Sequence, residues 1–316
     1  MSLSPEIRDC EAVTVDAVLI AGPTASGKSA AALSLARAHN GVVINADSMQ
    51  VYREVSILSA RPSQADSAAA PHLLYGHVGA EERYSVGRYQ IDAIAALAEA
   101  RKAGRLPVFV GGTGLYFAAL TEGLAEIPPV PADIRAEARD RLDALGVAGL
   151  HAELAARDPE TAAQLRPTDP QRVLRAYEVH VATGRPLASW QRQASKPVLA
   201  GLSLARFVLD VPRYELRERI RRRFLAMMEA GARIEAAALQ GLDPTLPAAK
   251  ILGLRELWAL DAGVMTEADA VSAAVTATRQ FAKRQTTWFR NRMADWAWLQ
   301  PDDNGNFITS MRQVFS

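Results

Sequence analysis

The sequence has a single cysteine, Cys10, in 316 residues. That excludes an internal disulfide framework and a cysteine-rich zinc site, and it suits a reducing compartment. Charge of one sign is missing too: 36 Lys+Arg face 35 Asp+Glu, a net charge of +1. A general nucleic-acid coat needs a far stronger basic balance, so any nucleic-acid contact has to be a local patch. No uninterrupted apolar run approaches the ~20 residues of a bilayer span, and the opening MSLSPEIRDCEAVTVD carries acids where a signal peptide has an apolar core. The five histidines show no close metal-ligand spacing beyond His72 and His77, so no zinc site is expected. These absences predict a cytoplasmic protein without membrane association. Its 49% hydrophobic and 22% charged residues suffice for a main domain and a smaller one.

What is present begins with an apolar run, Ala17 to Ala21, then Gly22-Pro23-Thr24-Ala25-Ser26-Gly27-Lys28-Ser29, then an Ala/Leu-rich helical stretch to His39. Asn40-Gly41 ends that helix, and Val42 to Asn45 reads as a second buried strand delivering Ala46-Asp47-Ser48. This βαβ pattern predicts a parallel sheet. A helix is expected over 85–103 and a strand over 106–110 that runs into Gly111-Gly112-Thr113-Gly114. A further strand is expected over 207–211, and helices over 214–230, 248–260 and 266–288. Proline-rich boundaries and a helical interior mark 127–197 as an insertion, with breaks at Gly146 and Asp158-Pro159. The expected architecture is α/β, a P-loop NTPase-like parallel sheet flanked by helices. Its core comprises 1–126 and 198–316, with the helical insertion domain at 127–197 between them.

Gly22 to Ser29 fits the G-x-x-x-x-G-K-[ST] phosphate loop and lies between a predicted strand and a predicted helix. Such glycines let backbone N–H groups face phosphate oxygens while the helix N-terminus adds partial positive charge. Lys28 brings a full charge, and the Ser29 hydroxyl is placed to join a Mg²⁺ shell. Asp47 stands at the sheet edge where ligands collect, either as a general base or as the cap of a helix begun near Ser48. Thr113 has a similar pair of readings, a ligand contact or the N-cap of a helix over 115–120. Residues 279–292 hold five basic side chains, three aromatics and no acid. On a helix, Arg279, Lys283 and Arg290 share a face, a stripe for a phosphate backbone or a solvated face. Arg217, Arg219, Arg221, Arg222 and Arg223 form a second cluster, from which some side chains could reach a diphosphate opposite Lys28.

Taken together, Gly22 to Ser29, Asp47-Ser48-Met49-Gln50-Val51-Tyr52, Gly111 to Tyr116, Asp169 to Arg175 and Thr278 to Gln285 resemble the tRNA dimethylallyltransferase (tRNA isopentenyltransferase) family of bacteria. The resemblance runs from about residue 17 to 298. It implies transfer of a dimethylallyl group from dimethylallyl diphosphate to N6 of the adenosine at position 37, 3′ of the anticodon, in tRNAs reading codons that begin with U. It further implies that Gly22, Pro23, Thr24, Ala25, Ser26, Gly27, Lys28 and Ser29 hold the donor's diphosphate, with Arg219 a further ligand and Mg²⁺ held at Ser29. Asp47 becomes the base, with Thr24 and Lys28 beside it as catalytic groups, and Asp47, Ser48, Met49 and Gln50 line the adenine pocket. Thr113, Arg135, Gln171, Arg172, Val173, Leu174 and Arg175 fall among the tRNA contacts, and the insertion is expected to grip the anticodon stem-loop. A monomer is expected. Leu254, where the family often has tyrosine, and Pro71-His72-Leu73-Leu74, without paired histidines, depart from the pattern.

Two other classes fit parts of the sequence. A small-metabolite kinase would use the same loop for ATP, but it needs neither the 279–292 segment nor the insertion. A non-catalytic RNA-binding switch would have no use for an acid at Asp47.

Overall fold

The structure, a computed structural model, describes residues 15–193, 195–302, 307, 309 and 311; Cys10 lies outside them. The strands β1 (Ala17–Ala21), β2 (Gly41–Asn45), β3 (His72–Leu73), β4 (Leu106–Gly111), β5 (Leu204–Leu209) and β6 (Ala297–Leu299) make one sheet. Every neighbouring pair is parallel, in the order β3-β2-β4-β1-β5-β6. Every residue of β1 and β2 is buried. A parallel sheet covered on both faces demands this, which is why these strands read as continuous apolar runs rather than alternating ones. The chain runs from β1 to β2 with β4 between them and later reaches β5 on the other side of β1. The order therefore reverses beside β1, and the crevice at the carboxyl ends of β1 and β4 is where such sheets take ligands.

The first half of this unit carries α1 (Lys28–Ala38), α2 (Gln64–Ala69), α3 (Val86–Lys102) and α4 (Gly114–Thr121). By contact the chain divides into residues 1–120 with 199–316, and residues 121–198. The second unit contains α5 (Ala132–Arg157), α6 (Pro159–Gln164), α7 (Pro170–Thr183) and α8 (Leu187–Gln191). Gly146 breaks α5 with φ 67° and ψ 174°, a conformation that only glycine takes without strain. Asp158 and Asp169 cap α6 and α7 by accepting from the N–H groups of Thr161 and Arg172. Leu150, Leu154, Val173, Ala176 and Val179 form the unit's own apolar core.

The first unit resumes with β5, then α9 (Arg213–Glu229), α10 (Ala232–Ala237), α11 (Leu254–Asp261) and α12 (Glu267–Arg292). Three expectations need correction. The late strand spans 204–209 rather than 207–211, because Leu204 to Val208 register against Ala17 to Ala21. The single helix expected over 248–260 is a short 3-10 turn, Ala248–Lys250, followed by α11, because Ile251 is extended and Gly253 has φ 90°. The short edge strands β3 and β6 were not expected; two or three residues carry no periodic signal.

Candidate active site

Three loops meet at the carboxyl edge of the sheet: Gly22 to Ser29 after β1, Ala46 to Gln50 after β2, and Gly112 to Gly114 after β4. Lys28 opens α1 and is 8% exposed, its Nζ donating to Pro23 O at 3.3 Å. Burial pushes its ammonium down to about 8 from 10.5, the Asp47 carboxylate opposes that shift, and Arg223 adds to it. The Ser26 hydroxyl is buried inside the loop and has no protein partner. Ser29 is exposed.

No helix begins at Ser48. The Asp47 carboxylate folds back to accept from Met49 N–H at 3.0 Å, a local Asx turn that competes with helix formation. Thr113 likewise does not spend its hydroxyl on α4. It accepts from Ser48 N–H at 2.9 Å and donates to Ser48 Oγ at 3.2 Å, fastening the β4 loop to the β2 loop. Asn45, fully buried at the end of β2, donates from Nδ2 to the carbonyls of Asp47 and Leu74 and accepts from Asp47 N–H. Gln50 is 8% exposed, and its Nε2 is committed to Ser59 O and Ala60 O, so it shapes the turn rather than offering that amide to a base.

From the far side α9 supplies two arginines. Arg219 donates to Ser26 O at 3.3 Å and pairs with Glu215. Arg223, one turn on, donates to Thr24 Oγ1 at 3.4 Å. Burial lowers the Arg223 guanidinium from its ordinary value, with Asp47 acting against that shift. Arg217, Arg221 and Arg222 are exposed. Arg223 was hidden in the cluster; its i, i+4 spacing from Arg219 was the signal that these two share the inward face. Beside Thr24 and Arg223 is a small apolar pocket of about 40 Å³, walled by Leu58, Ile220, Phe224, Met227 and Leu252.

Arg279, Lys283 and Arg290 are all exposed on α12, while Phe289 is fully buried. A shallow hollow of about 450 Å³ beside them is lined by Gln280, Lys283, Arg284, Thr287, Trp288 and Asn291. Cations around an indole suit a single-stranded nucleic acid. Among the described residues, a cleft of similar size has Glu54, Glu81 and Glu82 as its charged lining, the wrong sign for a phosphate. In the helical unit Arg135, Gln171, Arg172 and Arg175 are exposed. Val173 has no exposure and Leu174 packs against the same core, so Val173 in particular holds that core and offers no side chain to a ligand. Among the described residues no helix is long and apolar enough to cross a membrane, and no group of three His, Cys, Asp or Glu gathers as a metal cluster.

The profile of the IPP transferase family matches residues 50–292, and that of the isopentenyl transferases matches residues 15–71. The chain is 52% identical over 297 residues to a tRNA dimethylallyltransferase of Rhodopseudomonas palustris, covering 93% of this chain and 92% of that one. It is 52% identical over 298 residues to one of Azorhizobium caulinodans, covering 94% and 96%. Among solved structures it resembles a tRNA isopentenylpyrophosphate transferase of Bacillus halodurans (32% identity, TM-score 0.67, 95% and 96% of the two chains). It also resembles a eukaryotic dimethylallyltransferase acting on tRNA (26% identity, TM-score 0.78, 95% and 78%).

Proposed function

The chain belongs to the IPP transferase family, and we propose that it transfers a dimethylallyl group from dimethylallyl diphosphate to N6 of adenosine 37 in tRNAs reading codons that begin with U. The observation that carries this reading is the meeting of one carboxylate, Asp47, with two cations, the buried Lys28 and the half-buried Arg223, at the mouth of a phosphate loop.

An exocyclic adenine amine is a weak nucleophile, so the rate has to come from the leaving group and from removal of the proton. The allylic carbon–oxygen bond breaks as the bond from N6 to that carbon forms. The charge released on the diphosphate falls on Lys28, Arg219, Arg223 and the loop's N–H groups, which are fixed before reaction. The N6 proton passes to the Asp47 carboxylate, help worth typically ~10²–10⁴-fold. Leu58, Phe224, Met227 and Leu252 offer the donor's hydrocarbon tail a dry wall beside the cradle. The acceptor base leaves the anticodon stack to reach Asp47, an unstacking cost of about a few kcal/mol, while the exposed cations of α12 hold the RNA backbone.

The partnerless Ser26 hydroxyl and the hard-oxygen donor at Ser29 fit a diphosphate that arrives with Mg²⁺. Ser29 would hold the ion. When bound it neutralises the leaving group. We place the reaction in the cytoplasm.

The test is to incubate the protein with Mg²⁺, labelled dimethylallyl diphosphate and an anticodon stem-loop carrying adenosine 3′ of the anticodon, alongside the same loop with guanosine there. Label on the adenosine loop alone is expected. Phosphate transfer from ATP with no label on RNA would instead make it a kinase.

A further inference from the structure

Gln285 lies on α12 among residues that otherwise present charge to solvent, yet it is only 6% exposed. Its Oε1 accepts from Thr24 N–H at 2.9 Å, and its Nε2 donates to Gly112 O at 2.8 Å. One neutral amide therefore spans the phosphate loop after β1 and the Gly-Gly-Thr-Gly loop after β4, 261 residues from the first and 173 from the second. Its two ends match their partners by type: the carbonyl meets a donor and the amide nitrogen meets an acceptor. Glutamate offers no donor, lysine no acceptor, and an apolar residue neither.

Space is closed around this bridge. A Cβ on Gly112 would stand 2.1 Å from Gln285 Nε2 and 3.2 Å from Asp47 Oδ2, so the space beside Gly112 that only glycine leaves free is shared by the glutamine amide and the carboxylate. The same β4 loop carries Thr113, whose hydroxyl holds Ser48, the neighbour of Asp47. On the other side Thr24 Oγ1 receives Arg223. The bridge thus joins the phosphate loop, which leads into Lys28 and receives Arg223, to the loop fastened to the neighbour of Asp47.

We propose that Gln285 is a positioning residue for the transfer, the spacer that fixes the distance between the diphosphate cradle and the base-bearing loop through Thr24 N–H and Gly112 C=O. This deepens the reaction assigned above and rests on it. Reaction geometry is steep: a displacement of about 1 Å between reacting groups costs roughly 100-fold in rate. A spacer should therefore act on turnover and leave RNA affinity alone.

The experiment compares the full-length parent with Q285M and Q285E, using labelled dimethylallyl diphosphate with an anticodon stem-loop and, separately, stem-loop binding without donor. Q285M keeps the length and loses both hydrogen bonds. Its kcat at saturation of both substrates should fall roughly 100-fold, with stem-loop Kd close to the parent's. Q285E keeps an acceptor for Thr24 but sets an anion against Gly112 O and beside the cradle, so its kcat should fall as well and its KM for the donor should rise. If Q285M does not fold, Q285E carries the test alone. A Q285M kcat within about twofold of the parent per folded molecule, whatever its melting temperature, overturns the role. So does a loss of stem-loop affinity equal to the loss of turnover, which would make Gln285 an RNA contact. An inactive parent in this assay removes the assigned reaction; an active parent with an equally active Q285M removes only the role of Gln285.

Discussion

Asn45 holds both backbone groups of Asp47: its Oδ1 accepts from the Asp47 N–H at 2.8 Å while its Nδ2 donates to the Asp47 carbonyl at 2.9 Å. The same Nδ2 reaches Leu74 O at 3.0 Å, so the edge-strand segment is tied in as well. The carboxylate itself bends back to Met49 N–H. Asp47 is therefore fixed from behind by a residue that never faces a substrate.

Removing that bracket takes the side-chain partner from the part-buried Asp47 N–H and Leu74 carbonyl, while the Asp47 carbonyl keeps the Gln50 N–H. Asn45→Ala should cost about 1–3 kcal/mol of stability, seen in urea unfolding, and should lower kcat by a larger factor than it changes stem-loop affinity. Full turnover in a measurably less stable Asn45→Ala would show that Asp47 needs no such support.

Asp47→Ala should lose ~10²–10⁴-fold in kcat while binding the stem-loop within a few-fold of the parent. A single-turnover assay with both substrates saturating reads this directly. An unchanged rate would remove the base assignment.

The lowered Lys28 ammonium gives two pH effects of opposite sign. Its folded value of about 8 lies below the ordinary 10.5, so between those values the unfolded chain binds more protons. The ligand-free protein should thus gain stability as pH rises through that window, and Lys28→Met should lose this dependence. Donor binding runs the other way, because a diphosphate pairs with the charged form. Affinity should fall above pH 8, and binding at pH 9 should take up a proton. Calorimetry in two buffers of different ionisation heat measures the uptake, and none at pH 9 would contradict a depressed lysine.

Lys283→Ala and Arg290→Ala should each weaken stem-loop binding and flatten its dependence on log salt by about one unit of slope. Both side chains are exposed, so stability should hardly change. Slopes equal to the parent's would make the stripe a solvated face.

Much of this site is legible along the chain because its geometry is local. A phosphate loop needs glycines, a lysine and a hydroxyl at fixed offsets between a strand and a helix, and Gly22 to Ser29 supplies them within eight consecutive positions. Asp47 follows from the end of β2 in the same way. The segment Gln171 to Arg175, expected to contact tRNA, is less complete as read, because helical periodicity turns Val173 into the core of its own unit while Gln171, Arg172 and Arg175 stay exposed. Gln50, expected to line a pocket, has its Nε2 bound to the Ser59 and Ala60 carbonyls, which the sequence did not foretell.

By itself the sequence determined the order of the four longer strands and the main helices, the anion cradle, the acid one strand away and the basic stripe on α12, since backbone geometry ties each to residues a few positions off. Only the tertiary structure decided which two of five clustered arginines turn inward, where the Thr113 hydroxyl goes, and that Asn45 and Gln285 hold the loops in register. Those contacts join residues up to 261 positions apart. Spacing along one helix names the candidate faces, but the packing of that helix on the sheet selects the one that is buried.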